Sequence, residues 1–372
     1  MRELTFWDSL PRPIIGLAPM DGVTDQPCRY IQKKYGDPMI VYTEFTNVEG
    51  ICKGALSLLR AFIYDESQRP VIAQIYGNTP ICFRQTAVLL CELGFDGIDI
   101  NMGCPAKKIA HRGAGAGLIR TPDVAQEIVR ATKAGVDDWL NGMTTRDCPD
   151  IKAKISNEVE SRRQALPVEY QTRRFVPVSV KTRIGYDAPV TEPWISNLLE
   201  VEPFAIGVHG RTLEQGYSGS ADWDEIAIAA EVTQDTETLL LGNGDIESLA
   251  DAETRVGDYH VDGVLIGRAA FGNPFVFQDS TRPEPVAVNG FRQPANMYQM
   301  IDIAIEHCQL FEDTFRDAKK YRFSPMRKHL SWYIKGMPSA RGLRRHLLQT
   351  SSPAEVSALL DEYYAYRSRW DG

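Results

Sequence analysis

Eight short apolar segments recur through the first 280 residues. The segments are mostly continuous apolar runs rather than alternating ones, which is typical of strands covered on both faces. Glycine, proline, aspartate or asparagine bounds them. They are Pro13–Met20, Met39–Phe45, Pro70–Gly77, Asp96–Gly103, Pro177–Gly185, Phe204–Thr212, Thr238–Ile246 and Gly263–Gly272.

Stretches with helical spacing separate these strands. One opens at Thr79 and Pro80 and closes at Gly94, and the next opens at Pro122 and is expected to close at Gly135. Eight strand–helix units in series are most simply a (β/α)8 TIM barrel. A doubly wound sheet is the alternative, but it rarely needs eight units, and no GxGxxG follows the first strand.

From Gln293 onward the strand pattern stops and only helical patterns follow. The predicted helices are Met297–Phe311, Met326–Lys335, Arg341–Gln349 and Pro353–Arg369. The sequence therefore predicts a barrel domain over residues 1–290 and a small helical bundle over residues 291–372.

A polar insertion, Asn141–Phe175, interrupts the barrel between the fourth helix and the fifth strand. It holds seven Lys or Arg and five Asp or Glu residues, and it is too long for an ordinary connection between a helix and a strand. Part of it, Ile151–Leu166, has the pattern of a charged helix. We interpret it as a surface excursion and assign it no role.

The composition indicates a globular protein. Of the 372 residues 43% are hydrophobic and 24% are charged, which are ordinary globular values. No apolar run approaches the roughly 18 residues that span a bilayer, and the first residues do not form a secretory signal. The seven cysteines contain no CxxC pair, so neither a disulfide framework nor a metal site is expected. These features favour a cytoplasmic protein.

Charge is distributed unevenly along the chain. The net charge is −8, but residues 291–372 contain 13 Lys or Arg and only 9 Asp or Glu. Between Phe315 and His346 ten basic residues face one acidic residue, Asp317. Such asymmetry indicates two modules, of which the C-terminal one faces a polyanion. A solvated helix face is the alternative interpretation of the basic run.

Polar side chains accompany every predicted strand, and in a TIM barrel the carboxyl ends of the strands surround one pocket. They are Met20 with Asp21, Glu44, Gln74, Asn101 with Cys104, Lys181 with Arg183, His209 with Arg211, Asn243 with Asp245, and Arg268. The loops after the last two strands often hold a phosphate in this fold, and Gly242, Gly244 and Gly267 would let backbone N–H groups approach it. The ligand could be a sugar phosphate or a flavin mononucleotide.

Three cationic residues, Lys181, Arg183 and His209, lie on two successive strands. A lysine near the N1/O2 edge of a flavin stabilises the negative charge of the reduced ring. A Schiff-base lysine of an aldolase is the alternative, but such a lysine normally sits in an apolar site. The neighbouring Arg183 favours the flavin.

Cys104 is the most distinctive single residue. It follows a strand in the turn Asn101–Pro105, at the predicted mouth of the barrel. A cysteine is more often a small buried hydrophobic residue. Basic residues at Lys107, Lys108, His111 and Arg112 nevertheless favour a thiolate or a proton-donating thiol here.

Taken together, the motifs resemble those of the tRNA-dihydrouridine synthases. They are LAPMDGVTD, TEF, AQIYG, FDGIDINMGCPAKKI, GAGAGLIRTP, VSVKTRIG, VHGRT, GNGDI, IGRAAFGNP and RKHLSWYIKGMP. The resemblance runs from about Ile14 to Leu348, and the combination of NMGCP with GAGAGL is its most specific part.

The resemblance implies an FMN-containing barrel with a helical tRNA-binding domain. Cys104 corresponds to the catalytic acid, and Asn101 and Arg183 to residues that face the uracil. The implied cofactor-binding residues are Pro19, Met20, Asp21, Gln74, Lys181, His209, Asn243, Gly244, Asp245, Gly267 and Arg268. The basic residues expected on tRNA phosphates include Arg327, Lys328, Lys335, Arg344 and Arg345.

The implied reaction is reduction of the uracil C5=C6 bond, with a hydride from FMN to C6 and a proton from Cys104 to C5. NADPH is the expected reductant, with NADH as the alternative, and the base must be flipped out of the tRNA. The WYIKGMP run is similar to that of the subgroup that acts in the D-loop. A monomer without a metal ion is expected.

Three other functions stay open at this point. An FMN barrel acting on a free pyrimidine would share the phosphate loops but does not need the basic tail. A non-enzymatic tRNA-binding protein would not need Cys104 and Lys181, and a sugar-phosphate aldolase would contain no flavin.

Overall fold

The computed structural model describes residues 3–278, 297–318, 321–337 and 339–368. Its strands are β1 (Ile14–Leu17), β2 (Ile40–Tyr42), β3 (Thr46–Asn47), β4 (Val71–Tyr76), β5 (Gly97–Met102), β6 (Val178–Gly185), β7 (Ala205–Thr212), β8 (Leu239–Asn243) and β9 (Gly263–Ile266). The described helices up to the last strand are α1 (Phe6–Ser9), α2 (Gln26–Tyr35), α3 (Val48–Cys52), α4 (Pro80–Glu92), α5 (Lys107–Ala110), α6 (Pro122–Leu140), α7 (Ala153–Gln164), α8 (Val168–Gln171), α9 (Thr191–Leu199), α10 (Trp223–Thr233) and α11 (Leu249–Tyr259).

Parallel pairing closes eight of these strands into a barrel. Strand β1 pairs with both β2 and β9, and the order around the barrel is β1, β2, β4, β5, β6, β7, β8, β9. The two-residue β3 is a further parallel partner of β4. The predicted (β/α)8 barrel is therefore confirmed, and each of its eight strands lies inside the predicted segment.

A cluster of apolar side chains fills the barrel near the amino ends of its strands. Trp7, on the short helix α1, is fully buried there with Ile14, Phe204 and Leu239. Because this end is filled by apolar side chains, the polar side chains inside the barrel lie nearer the carboxyl ends of the strands. That is the end at which TIM barrels bind their ligands.

One helix boundary was predicted incorrectly. Gly135 does not close the helix that begins at Pro122, because α6 continues to Leu140. A Cβ atom at Gly135 would collide with the carbonyl oxygen of Arg84 on α4. The glycine therefore allows two helices to pack closely and does not end one of them.

The insertion packs against the barrel instead of extending from it. Within it, the helix α7 falls inside the predicted charged segment. Arg174 donates to Asp96 Oδ1 at 3.2 Å, and Arg69 donates to the same oxygen at 2.9 Å. The Arg69 guanidinium also lies 3.4 Å from the ring centre of Tyr170. Because Asp96 directly precedes β5, these contacts hold the insertion at the amino end of the barrel strands.

The chain divides into two compact units that do not follow the sequence in one piece. The first contains all nine strands named above, and the second combines residues 22–37, 247–250 and 268–372. The second unit includes α12 (Met297–Phe315), α13 (Met326–Tyr333), α14 (Ala340–Leu347) and α15 (Pro353–Ser368), which confirm the four predicted C-terminal helices. The predicted domain boundary between residues 290 and 291 lies outside the described residues and stays a prediction.

Within the second unit, aromatic contacts join its helical segments. Trp332 stacks on Phe271 with ring centres 4.1 Å apart, and His307 Nδ1 lies 3.0 Å from the Tyr333 hydroxyl. In the part of the chain that the structure describes, no helix combines the length and hydrophobicity needed to cross a bilayer.

Candidate active site

The register of three neighbouring strands, β4, β5 and β6, places polar side chains side by side inside the barrel. Gln74 pairs with Asp99, and Asp99 pairs with Ser179. One layer closer to the barrel mouth, Asn101 pairs with Lys181. Since side chains two residues apart on a strand share a face, the two layers form one continuous polar surface.

Hydrogen bonds join the first layer to the loop that follows β5. Gln74 Nε2 donates to Asp99 Oδ2 at 2.7 Å, and Asn101 Nδ2 donates to Gln74 Oε1 at 2.9 Å. The Asn101 Oδ1 atom then accepts the backbone N–H groups of Gly103 and Cys104, at 3.1 and 2.8 Å. A side chain on the barrel wall therefore fixes the backbone at Cys104.

Cys104 lies buried in this loop. Burial raises the pKa of its thiol, and the Asp21 carboxylate adds to the rise, while the Ala106 backbone and Arg183 act in the opposite direction. The thiol is therefore protonated at neutral pH and suits the role of a proton donor. Lys107, Lys108, His111 and Arg112 are exposed and do not make it a thiolate.

Lys181 is directed across the barrel. Its Nζ donates to Asn243 Oδ1 at 2.9 Å, and Asn243 Nδ2 donates to the Leu265 carbonyl at 2.7 Å. Burial lowers the pKa of Lys181 to about 8, with a further decrease from Arg183, while Asp99 raises it. Among the residues that the structure describes, Lys181 forms no ion pair, so its charge is available to an anionic group.

Arg183 joins two loops at the barrel mouth. It donates to the carbonyl oxygens of Gly103, Thr212 and Gly216, at 2.7, 3.0 and 3.2 Å. Burial lowers its pKa to about 10, so it stays charged at neutral pH. The predicted role of Arg183 in facing the substrate stays a prediction, and these three contacts give it a part in holding the loops.

His209 and Asp245 lie beside a second buried arginine. Arg211 donates to Asp245 Oδ2 at 2.6 Å and lies 3.4 Å from His209 Nε2. The backbone N–H of Ala221 donates to the same carboxylate oxygen at 2.7 Å. These bonds direct the negative charge of Asp245 toward Arg211, so any contribution of Asp245 to an anion site comes from its backbone.

The two predicted phosphate loops differ in how their glycines are used. Gly244 has φ +131°, and a Cβ atom there would lie 2.6 Å from Ala221 Cβ. A Cβ atom at Gly267 would meet nothing closer than Met20 Sδ, at 3.7 Å. Only Gly244 therefore requires glycine for its conformation and its packing. Arg268 is exposed and begins a short 3-10 helix, Arg268–Ala270, in the second unit.

The residues after β1 complete the barrel part of the predicted site. Pro19 and Met20 are half-buried and Asp21 is exposed. Because Asp21 affects the pKa of both Cys104 and Tyr76, it lies on the same side of the barrel as the cysteine loop.

Asp99 is a charged group of the site that the sequence did not single out, and Arg211 was predicted only as one of the polar residues that accompany the strands. Asp99 is buried beneath Lys181, and burial raises its pKa to about 6 against the hydrogen bonds from Gln74 and Ser179 and the charge of Lys181. Arg211 is equally buried. The signal for Asp99 was an aspartate between two isoleucines, two residues before Asn101 on the same strand.

The predicted tRNA-binding residues all lie in the second unit. Lys335, Arg344 and Arg345 are exposed, and Lys328 is half-buried. Arg327 is also half-buried and donates to the Thr350 carbonyl at 3.0 Å, which gives it a structural contact. Arg344 and Arg345 line a surface groove with Arg341, Gly342, Leu348 and Gln349.

Across the described ranges, no group of three or more His, Cys, Asp or Glu side chains is arranged to hold a metal ion.

Comparison with known proteins identifies the family. The dihydrouridine synthase (Dus) family model matches residues 16–145 and 153–368. A probable tRNA-dihydrouridine synthase of Staphylococcus aureus (strain COL) is 33% identical over 370 residues, which are 98% of this chain and 97% of the relative. The probable tRNA-dihydrouridine synthase 2 of Bacillus subtilis (strain 168) is 32% identical over 364 residues, 96% of each chain.

Among solved structures, morphinone reductase in complex with tetrahydroNAD shares 13% identity at a TM-score of 0.38, over 72% of this chain and 85% of that chain. That likeness is too weak to bear on the chemistry. The sequence matches are extensive, and the chain therefore belongs to the dihydrouridine synthase family, a family of flavin-dependent oxidoreductases.

Proposed function

We propose that this protein is a tRNA-dihydrouridine synthase that uses FMN and NADPH to reduce the C5=C6 bond of specific D-loop uridines. The observation that carries the proposal is the buried Cys104, whose backbone N–H donates to Asn101 Oδ1, on a strand where Asn101 pairs with Lys181. The names of the relatives support tRNA as the substrate.

The donor set of the barrel fits FMN. Lys181 would offer a positive charge to the N1/O2 edge of the ring. The Gln74 amide is fully buried and bonded to Asp99 and Asn101, so its contact with the ring stays a prediction. Gly207 lies beneath the Lys181 side chain, where a Cβ atom would lie 3.4 Å from Lys181 Cγ. The backbone at Gly244 and Gly267, with Arg268 next in the chain, is suited to the ribityl phosphate.

When bound, FMN supplies the hydride that adds to C6 of the uracil. The protein must then supply a proton at C5, where negative charge develops. Cys104 suits this step because its raised pKa keeps the Sγ proton in place until the base arrives. Asn101 accepts from the N–H, and Arg183 donates to the carbonyl, of the peptide group that joins Gly103 to Cys104, so the donor is oriented beforehand.

The basic residues of the second unit support binding of tRNA. Flipping a uridine out of a folded tRNA costs a few kcal/mol, and phosphate contacts supply the affinity that offsets it. Exposed arginines on α14 suit this purpose because the first unit is acidic. NADPH is the reductant that we propose, and NADH is the alternative.

The test compares Cys104→Ala with Cys82→Ala, which removes an equally buried thiol from α4. Cys104→Ala should keep bound flavin and its reduction by NADPH, but should lower dihydrouridine formation in unmodified tRNA by roughly 10²–10⁴-fold. Cys82→Ala should behave like the unaltered protein. Mass spectrometry of the tRNA nucleosides measures the product.

Three results would contradict the proposal. Near-normal turnover by Cys104→Ala would show that the thiol is not the proton donor. A colourless protein, or one that reduces free uridine as well as tRNA, would reject the flavin or the tRNA part of the assignment.

A further inference from the structure

The buried carboxylate of Asp99 is the first member of a chain of hydrogen bonds that leads to the loop containing Cys104. Asp99 Oδ2 accepts from Gln74 Nε2, Gln74 accepts from Asn101, and Asn101 accepts from the backbone of Cys104. On its other side, Asp99 Oδ1 accepts from Ser179 Oγ at 2.7 Å. A continuous relay therefore runs from the centre of the barrel to the proposed proton donor.

The direction of every bond in this relay depends on Asp99. The side-chain amides of Gln74 and Asn101 could each be turned by 180°, which would exchange their donors and acceptors. An ionised carboxylate only accepts hydrogen bonds. Asp99 therefore selects the orientation in which Gln74 presents Oε1 to Asn101, and in which Asn101 presents Oδ1 to the backbone of Cys104.

Because the three side chains are buried, the reversed orientations of the two amides are energetically costly. Gln74, Asp99 and Asn101 have relative exposures of 0, 1 and 8%. Water is not at hand to satisfy a misplaced donor or acceptor at these depths, and an unsatisfied buried polar group is costly. A reversed amide would also place two donors against each other at the Cys104 N–H.

We propose that Asp99 is a positioning residue for the reaction, acting through Gln74 and Asn101 to fix the backbone of Cys104. The proposal rests on the proposed function in one respect, namely that Cys104 is the proton donor. Asp99 needs no contact with uracil in this role.

The competing explanation is that Asp99 only supplies negative charge near Lys181. Asp99→Asn separates the two, because an asparagine Oδ1 can accept from Gln74 while Nδ2 donates to Ser179 Oγ. The Ser179 hydroxyl can then turn its proton to the Ile98 carbonyl, 3.4 Å away. This variant removes the charge and keeps the relay, whereas Asp99→Leu removes both.

The first readout is the rate at which iodoacetamide alkylates Cys104 in the purified full chain, followed by peptide mass spectrometry. Asp99→Leu should loosen the loop and raise this rate by about five- to thirtyfold, while Asp99→Asn should stay within about twofold of the unaltered protein. Asp96→Asn is the matched control, because Asp96 is a buried aspartate beside the same strand but holds the insertion through Arg69 and Arg174. Asp96→Asn should lower the melting temperature without changing the rate at which Cys104 is alkylated.

A double-variant cycle keeps the test valid if Asp99→Leu alone does not fold. Gln74→Met interrupts the relay at its next member, and Gln74→Met with Asp99→Leu replaces a buried polar pair by an apolar one. If Asp99 acts through Gln74, Gln74→Met raises the alkylation rate by the same factor as above, and adding Asp99→Leu changes it no further.

The second readout separates catalytic turnover from tRNA binding. Asp99→Leu should lower kcat for tRNA reduction by about tenfold or more, and should leave the KM for tRNA within about twofold. Asp99→Asn should rescue kcat.

Three results would overturn the proposal. They are an unchanged Cys104 alkylation rate in the double variant, an added effect of Asp99→Leu in the Gln74→Met background, or an equal loss in Asp99→Asn and Asp99→Leu. Failure of Cys104 as the acid would appear separately, as normal turnover by Cys104→Ala, and would leave the alkylation results intact.

Discussion

The ionised, buried Asp99 lowers the stability of the folded protein. Burial raises its pKa from 3.8 to about 6, so the folded protein binds a proton at Asp99 more tightly than the unfolded chain does. The free energy of unfolding therefore falls as the pH rises from about 4 to about 6, and above that range the full cost remains. A charge kept at this cost is consistent with a role in orienting the site.

The expected consequence is that Asp99→Asn is more stable than the unaltered protein at pH 7.5, by roughly 1–3 kcal/mol. The difference should shrink as the pH falls through 6 and should vanish only below the ordinary pKa of 3.8, where Asp99 is protonated in both states. Urea unfolding at several pH values measures it. A constant difference between pH 4 and 7.5 would show that the gain has another cause.

At the scale of elements, the Cys104 loop is supported by the glycine-rich turn that follows it. Gly113 and Gly115 both have positive φ, +78° and +58°. A Cβ atom at Gly115 would lie 3.0 Å from Cys104 Cβ, whereas one at Gly113 would meet only Asn78 Nδ2, at 3.7 Å. The two glycines therefore form a matched pair with similar backbone strain and different contacts.

Alanine at either position should lower stability by about 1–2 kcal/mol, because a Cβ atom strains this backbone conformation. Gly115→Ala should in addition displace Cys104 and lower dihydrouridine formation by about 10- to 100-fold. Gly113→Ala should keep normal turnover once folded. Melting temperatures and product formation by the two variants test this, and equal turnover would show that Gly115 does not support the thiol.

The burial of the strands and their pairing explain which parts of the barrel could be predicted from the sequence. Continuous apolar runs identified all eight barrel strands, because strands buried on both faces have no polar alternation to confuse them. Cys104 and Lys181 stood out because their chemistry is unusual beside a strand. Asp99 did not, because its role depends on partners on two other strands, and register is a tertiary property.

Helix ends and the roles of arginines are harder to predict from the sequence, because they also depend on tertiary contacts. The pattern predicts a helix end at Gly135, yet in the structure this glycine allows α4 to approach α6. The role of Arg183 in facing the substrate stays a prediction, and the sequence did not indicate that its Nε and Nη1 groups donate to three backbone carbonyls. No local pattern distinguishes an arginine that binds a ligand from one that holds loops together.

For the whole molecule, the distribution of charge is the feature with the broadest consequence. Residues 1–290 hold 28 basic and 40 acidic side chains, so the barrel part of the chain repels a polyanion overall. Helix α14 has the opposite character, with Leu343 and Leu347 buried and Arg341, Arg344 and Arg345 exposed. Within the described residues these three arginines form no ion pair, so their charge remains available for phosphates.

The last prediction concerns these arginines. Replacing Arg341, Arg344 and Arg345 together by glutamine should weaken tRNA binding and reduce the slope of log K against log salt by roughly two to three, since each lost phosphate contact removes about 0.7–0.9. Arg327 is left in place because it supports the Thr350 carbonyl. Flavin content and the rate of flavin reduction by NADPH should not change, because those properties belong to the barrel.

A matched triple variant removes the same charge from the first unit, by replacing Lys53, Lys152 and Lys154, which are all exposed, with glutamine. A Cβ atom at the intervening Gly54 would lie 2.9 Å from Lys152 Cγ and 3.0 Å from Lys154 Cε, so the lysines are close together near the start of α7. This control should keep the original affinity and salt slope. If it flattens the slope while the α14 variant does not, the arginines are a solvated helix face, and the insertion at the amino end of the barrel is the part that holds the tRNA.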